Sequence, residues 1–239
     1  MAATLGLEDK VFLVTGGNKG IGSAIVDLLE DSGAKVAYTY RTSEGEHGSL
    51  AIQADVRNEE AMKEAAQRVE DELGPIYGVV ANAGITKDGL FVKSDLEQWN
   101  AVIETNLTGV YNTVRPVMSK MNEHGEGSIV LISSIVGERG NMGQANYAAA
   151  KAALMGFGKS LAREGARNKV RTNVVAPGFI ETNMLEDVPD KVKDKITSEI
   201  PFKRFGKPDE IAWGVAYLLS PRSSYVTGTV LSINGGHHM

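Results

Sequence analysis

Lys10-Val11-Phe12-Leu13-Val14-Thr15-Gly16-Gly17-Asn18-Lys19-Gly20-Ile21-Gly22 is the stretch from which the rest of the chain can be read. The unbroken apolar run Val11 to Val14 predicts a strand buried on both faces. Thr15 to Gly22 then has the form T-G-x-x-x-G-x-G. Glycines there let the backbone approach a pyrophosphate, and the N-terminus of a following helix attracts its charge. A glycine turn alone is a weak sign; its place between a strand and a helix gives it weight. An amphipathic helix is predicted from about Ser23 to Ser32, with Gly33 as its stop. A second strand, Lys35 to Tyr40, completes a β-α-β unit.

Further strands are predicted at Leu50 to Ala54, Ile76 to Ala81, Ser128 to Ser133, Arg171 to Ala176 and Val226 to Ile233. Helices are expected over about Glu59 to Leu73, Leu96 to Met121, Tyr147 to Arg167 and Pro208 to Leu219. This alternation implies an α/β fold: a single doubly wound Rossmann domain over 1–239, with a mainly parallel sheet of about seven strands flanked by helices. The charged stretch 180–207, interrupted by Pro189 and Pro201, reads as a short helical lid. Residues 42–49, Thr-Ser-Glu-Gly-Glu-His-Gly-Ser, leave room for a loop or a single turn at most where such folds carry a helix.

The chain has 239 residues, 42% of them hydrophobic and 23% charged, which suits a soluble α/β domain with a sizeable core. A net charge of −5 gives no electrostatic case for nucleic acid or an anionic membrane. The absence of cysteine excludes disulfides and thiolate chemistry. Met1 to Lys10 lacks the pattern of a signal peptide, and no stretch has the length of a membrane span. A cytoplasmic protein is expected. His47, His124, His237 and His238 show no ligand-like grouping with acids and read as solvated, so no metal is expected.

Tyr147 and Lys151 are four residues apart in an Ala-rich segment, which puts both side chains on one face of a helix. An ammonium beside a phenol lowers the phenol's pKa and suits it to general acid work. The end of the second strand reports on a dinucleotide's ribose, where an acid would accept bonds from a 2′-hydroxyl. Tyr40-Arg41 stands there instead, with Lys19 in the glycine turn, and two cations suit a 2′-phosphate. Asp55 ends the third strand, where a carboxylate can bond an adenine amino group or serve simply as a turn residue.

Together these motifs resemble the short-chain dehydrogenase/reductase family over essentially the whole chain. Thr15 to Gly22 is similar to the family's cofactor turn, with Gly16, Asn18, Lys19, Gly20, Ile21 and Gly22 as its contacts. Asn82-Ala83-Gly84 resembles the motif after strand four, which supports the sheet and meets the adenosine side. Pro177-Gly178 resembles the motif after strand six, and Thr182 the threonine on the nicotinamide side. Asp55, Val56 and Ile180 take cofactor positions on the same resemblance.

Asn106, Ser134, Tyr147 and Lys151 match the catalytic tetrad. The resemblance implies that Tyr147 protonates a carbonyl oxygen while Ser134 polarises it. Lys151 bonds the nicotinamide ribose, and Asn106 holds a water leading to Lys151. Asp88, Asn141, Gln144 and Phe179 are implied, with Ser134 and Tyr147, as substrate contacts.

Two subgroups share these motifs, and both reduce 3-oxoacyl thioesters. Gly74 to Asp88, Ser160 to Arg167, Pro201 to Trp213 and the ending Asn234 to Met239 are most similar to reductases of acetoacetyl-CoA in polyhydroxybutyrate synthesis. Asn141-Met142 resembles instead the reductases of fatty acid synthesis, which act on acyl carrier protein thioesters. The resemblance implies NADPH as cofactor, an (R)-3-hydroxyacyl product and a homotetramer in which the Asn106 and Tyr147 helices meet neighbouring subunits. Lys203, Arg204 and Lys207 form a cationic cluster beside the lid that suits either carrier, while the net charge of −5 favours coenzyme A over an acidic protein. A non-catalytic NADP-binding regulatory protein is the reading from another class; its mark would be a broken tetrad, and this tetrad is intact.

Overall fold

The computed structural model describes residues 4–47, 50–182 and 189–239. Seven parallel strands run β1 Val11–Thr15, β2 Lys35–Tyr40, β3 Leu50–Gln53, β4 Ile76–Ala81, β5 Gly127–Ile132, β6 Val170–Pro177 and β7 Val230–Ile233. Their order across the sheet is β3-β2-β1-β4-β5-β6-β7, a doubly wound Rossmann-like arrangement. The sheet is wholly rather than mainly parallel. The order reverses between β1 and β4, the point at which such sheets open a crevice at the strands' carboxyl ends.

Side-chain alternation along each strand feeds two cores. Phe12 and Val14 of β1, with Val130 and Ile132 of β5, pack under helices α1 (Gly20–Asp31) and α8 (Pro208–Leu219). Val11, Leu13, Ile129 and Leu131 face the other way. There they meet α2 (Glu59–Leu73), α4 (Gly109–His124) and α6 (Ala145–Gly165). No helix among the described residues is long and apolar enough to cross a membrane.

The expected helix from Leu96 to Met121 is broken. It forms α3 (Leu96–Ile103), a π turn over Glu104–Thr108, and then α4. Asn106 sits in that turn, and its amide bonds both backbone groups of Ile85: Nδ2 donates to the carbonyl at 2.9 Å, and Oδ1 accepts from the N–H at 2.8 Å. A single-turn widening of this kind holds a side chain out of ordinary helical register.

Of the expected lid, 183–188 lie outside the described residues. Helix α7 spans Asp190–Glu199, and Ile180 bridges Gly206.

Candidate active site

The glycine turn is built by close backbone contact. A Cβ on Gly22 would stand 2.1 Å from the Gly16 carbonyl oxygen, and one on Gly17 2.5 Å from the Tyr38 Cβ. Gly16 and Gly20 adopt positive φ, the region that glycine enters without strain. Asn82 fastens the turn to β4: its Nδ2 donates to the carbonyls of Thr15 and Gly16 at 3.0 and 3.1 Å. Thr15 Oγ1 accepts from the N–H groups of Asn82 and Ala83.

Helix α1 begins at Gly20 with no side-chain cap and no acid in its first turn. By contrast Asn58 caps α2 and Asp95 caps α3. An uncapped N-terminus beside a crowded glycine turn fits a pyrophosphate. Thr182 lies across from this turn, its methyl 3.3 Å from where a Cβ on Gly20 would be. Gly178 is held by its N–H to the Ile233 carbonyl, 2.9 Å.

At the β2 end, Lys19 and Arg41 are both exposed. Glu44 comes back within 3.4 Å of the Tyr40 hydroxyl, so a carboxylate stands on the loop here although none stands on the strand. Asp55 is forked by Arg57, at 2.6 Å from Nη2, which holds its carboxyl below the usual range. The side chain expected to reach adenine therefore already carries a guanidinium. Val56 faces α4, its carbonyl accepting from Asn112 Nδ2 at 2.9 Å.

Ser134 caps the short helix α5 (Ile135–Arg139), its Oγ accepting from the Val136 N–H at 3.1 Å. That bond uses an oxygen lone pair and leaves the hydroxyl proton to be donated. Helix α5 packs tightly on α6 through Gly137, where a Cβ would stand 2.8 Å from the Ala152 nitrogen. Ser133 ties the same pair together, donating to the Lys151 carbonyl at 2.7 Å.

Tyr147 and Lys151 share the face of α6 that looks toward Ser134. Burial pushes the Tyr147 phenol up to about 12; the Ser134 hydroxyl bonded to it pulls back down, and Asp88 adds a smaller upward push. Lys151 is buried, and desolvation takes its ammonium down to about 8. Its Nζ donates to the Ile132 carbonyl at 2.7 Å and stands 5.6 Å from the Tyr147 ring centre. The expected lowering of the Tyr147 pKa by Lys151 is thus corrected. Lys151 is buried and Tyr147 half-buried, the lysine is turned to β5, and desolvation is the largest influence on each.

Asn106 comes to the same place. A Cβ on Gly84 would meet its Oδ1 at 3.2 Å and Lys151 Nζ at 3.5 Å. The Asn106 amide spends one N–H and one oxygen lone pair on Ile85 and keeps one of each for a water.

Of the expected substrate contacts, three form one chain. Asn141 Nδ2 donates to Gln144 Oε1 at 2.8 Å, and Gln144 Nε2 donates to Asp88 Oδ2 at 2.9 Å. They join the loop after β4 to the start of α6. Phe179 lies apart from them, its ring against Phe205 and His237. The cationic cluster is largely spoken for. Arg204 forks Glu210 at 2.6 and 2.7 Å, and Lys203 donates to the Ser198 carbonyl at 2.6 Å.

Two histidines differ from expectation. His47 and His237 are not solvated: their side chains are 7% and 2% exposed. His47 also lies with Asp27 and Glu30 in one group of potential ligand atoms, so the reading of no grouping with acids does not hold. The fold brings together residues far apart in the chain, a proximity that spacing does not show. The same holds for Ile85, Ile132 and Ser133, whose bonds orient the tetrad and carry no motif of their own.

A family profile described as enoyl-(acyl carrier protein) reductase matches residues 16–238. An acetoacetyl-CoA reductase of Synechocystis sp. is 58% identical to this chain, covering 98% of it and 99% of the relative. One from Shinella zoogloeoides is 47% identical over 95% of this chain and 98% of its own. A 3-oxoacyl-(acyl-carrier-protein) reductase of Vibrio cholerae is 43% identical, over 98% of this chain and the whole of the relative.

Proposed function

The chain belongs to the short-chain dehydrogenase/reductase family of pyridine-nucleotide-dependent oxidoreductases, and within it we propose an NADPH-dependent reductase that converts acetoacetyl-CoA to (R)-3-hydroxybutyryl-CoA. The observation that carries this reading is the convergence of Ser134, Tyr147, Lys151 and Asn106 at the carboxyl ends of β4 and β5, beside a glycine turn that fits a dinucleotide. The choice of acetoacetyl-CoA is supported by the 58% identical relative of that activity. Reduction of an acyl carrier protein thioester is the second reading, favoured by Asn141 and by the 43% identical relative.

The nicotinamide supplies the hydride when it is bound. Everything else falls to the side chains. Ser134 donates its hydroxyl proton in a hydrogen bond to the ketone oxygen and so polarises the carbonyl. Tyr147 gives that oxygen its proton as negative charge develops there. Lys151, charged below about pH 8, stands behind the phenol, bonds the cofactor's ribose, and restores the Tyr147 proton through a water held by Asn106. Asp88, Asn141 and Gln144 hold the acyl thioester's approach. The glycine turn and the start of α1 hold the pyrophosphate, Asn82 to Gly84 the adenosine side, and Pro177 to Thr182 the nicotinamide side.

The enzyme reads as one domain, 1–239, acting in the cytoplasm as a homotetramer. Ala149, Ala152 and Gly156 lie exposed along α6, a face of small residues that admits a neighbouring helix closely. Light scattering on the purified chain tests the assembly.

Lys19 and Arg41 support NADPH over NADH. One charge-assisted contact to a 2′-phosphate is worth roughly 1.5–3 kcal/mol, on the order of 10- to 150-fold in affinity. Arg41→Ala is expected to weaken NADPH by about that factor and leave NADH nearly unchanged in steady-state measurements. Equal use of both cofactors by the wild type would show that these two cations do not select the phosphate.

A further inference from the structure

Residues 41–47, which follow β2 where related folds carry a helix, fold back onto the glycine turn. Asn18 Nδ2 donates to the Ser43 carbonyl at 3.0 Å. Gly45 and the Tyr38 hydroxyl exchange two bonds, both at 3.2 Å. Gly45 has no room for a side chain: a Cβ would stand 2.9 Å from His47 Cδ2 and 3.0 Å from Asn18 Cα. His47 closes the loop. Its ring stands edge-on to Tyr38, with centres 5.2 Å apart. Nδ1 is 2.8 Å from Asp27 Oδ1 on α1, and Nε2 is 3.1 Å from the carbonyl of Gly17 in the turn itself.

We propose that His47 is a positioning residue for the dinucleotide site, acting as an imidazolium that ties the Gly17 carbonyl to helix α1. Both ring nitrogens face oxygen acceptors, and a neutral imidazole has one N–H. Only the doubly protonated ring satisfies both. Loss of a proton sets a bare nitrogen against an oxygen at Asp27 or at Gly17, and the clamp on the turn opens at one end. Among the described residues, Asp27 and Glu30 of α1 come close to the ring nitrogens and Tyr38 of β2 packs on the ring, while Glu44 acts on Tyr38 and Glu46 precedes His47 in the chain. Gly17 carries no contact of its own in the family resemblance; its carbonyl orientation sets the N–H groups that follow. His47 thus does for the turn what a longer connecting helix would do by packing. This inference rests on the reading that the glycine turn holds the nicotinamide dinucleotide.

The test pairs binding with the charge of the ring. NADH is the probe, because it has no 2′-phosphate to titrate, and the range runs from about pH 5.5 to about 7.5, below the Lys151 transition near 8. By calorimetry the wild-type Kd is expected to rise roughly 3- to 10-fold across that range, the worth of one hydrogen bond. His47→Gln is expected to bind at the weaker level throughout, with no slope. Asp27→Asn is expected to bind tightly with no slope, because its amide N–H can donate to a bare Nδ1 while Nε2–H keeps Gly17. Nitrogen-15 spectra of the chain alone, with His47 assigned by the His47→Gln spectrum, should show both ring nitrogens protonated at the acid end.

A wild-type slope that survives in His47→Gln overturns the proposal, as does a singly protonated ring throughout. Zinc that tightens NADH binding to the wild type also overturns it, by placing a metal between Nδ1, Asp27 and Glu30 instead of a proton. If the wild type binds neither NADH nor NADPH, the proposed function fails, and the ring-nitrogen spectra still decide the charge of His47.

Discussion

Tyr147→Phe is expected to lower turnover by at least ~10²–10⁴, the contribution of a positioned general acid, while largely retaining NADPH binding. The substitution removes one oxygen and keeps the ring that fills this corner of the cleft. Burial holds the Tyr147 phenol up at about 12, so near neutral pH the hydroxyl carries its proton and yields it only as negative charge develops on the ketone oxygen. Ser134 remains in the variant, yet its hydroxyl can only donate a hydrogen bond to the oxyanion. A serine does not yield its proton outright at neutral pH. Stopped-flow absorbance at the reduced-nicotinamide band separates the two quantities. Near-native turnover in this variant would remove Tyr147 from the role of acid.

Lys151→Met is expected to make the chain more stable near pH 7 and almost inactive. The ammonium is buried and lowered from 10.5 to about 8, a shift that costs on the order of 3 kcal/mol at 1.36 kcal/mol per pH unit. Its bond to the Ile132 carbonyl offsets part of this, so a gain of roughly 1–3 kcal/mol is expected on replacement by a chain of similar shape. The pH dependence has a definite sign. Between about 8 and 10.5 the unfolded chain holds a proton that the folded chain has released, so wild-type stability rises with pH across that window. The advantage of Lys151→Met should therefore be full below about pH 8 and fade toward 10.5. Urea midpoints for both proteins at neutral and alkaline pH read this directly. Turnover should fall by at least ~10², since the proton supply to Tyr147 is cut. A variant that is less stable at every pH would show that the buried ammonium is a structural support.

Much of this was legible in the chain because the deciding signals are local. Val11 to Val14 is apolar at every position, as a strand covered on both faces requires. The strand-glycine-helix order around Gly16 to Gly22 named the turn, and the spacing of Tyr147 and Lys151 placed both on one helical face. What was not legible depended on distant partners. Leu96 to Met121 carries a continuous helical pattern, and the break at Asn106 comes from Ile85, on another segment. His47 and His237 look like solvated residues until Asp27, Gly17, Phe179 and Glu199 surround them. Lys203 and Arg204 read as available charge, but Ser198 and Glu210 take them up. The same geometry weakens the electrostatic case for choosing between carriers, and the choice of coenzyme A leans instead on the similarity to acetoacetyl-CoA reductases.

The most direct test is NADPH oxidation by the purified chain with acetoacetyl-CoA and with acetoacetyl-acyl carrier protein, side by side and in competition. The account predicts efficient oxidation with acetoacetyl-CoA, a kcat/KM for it at least equal to that for the carrier-protein thioester, and (R)-3-hydroxybutyryl-CoA as product. A hundredfold preference for the acyl carrier protein thioester would move the enzyme to fatty acid synthesis, and no NADPH oxidation with either would contradict the account at its root.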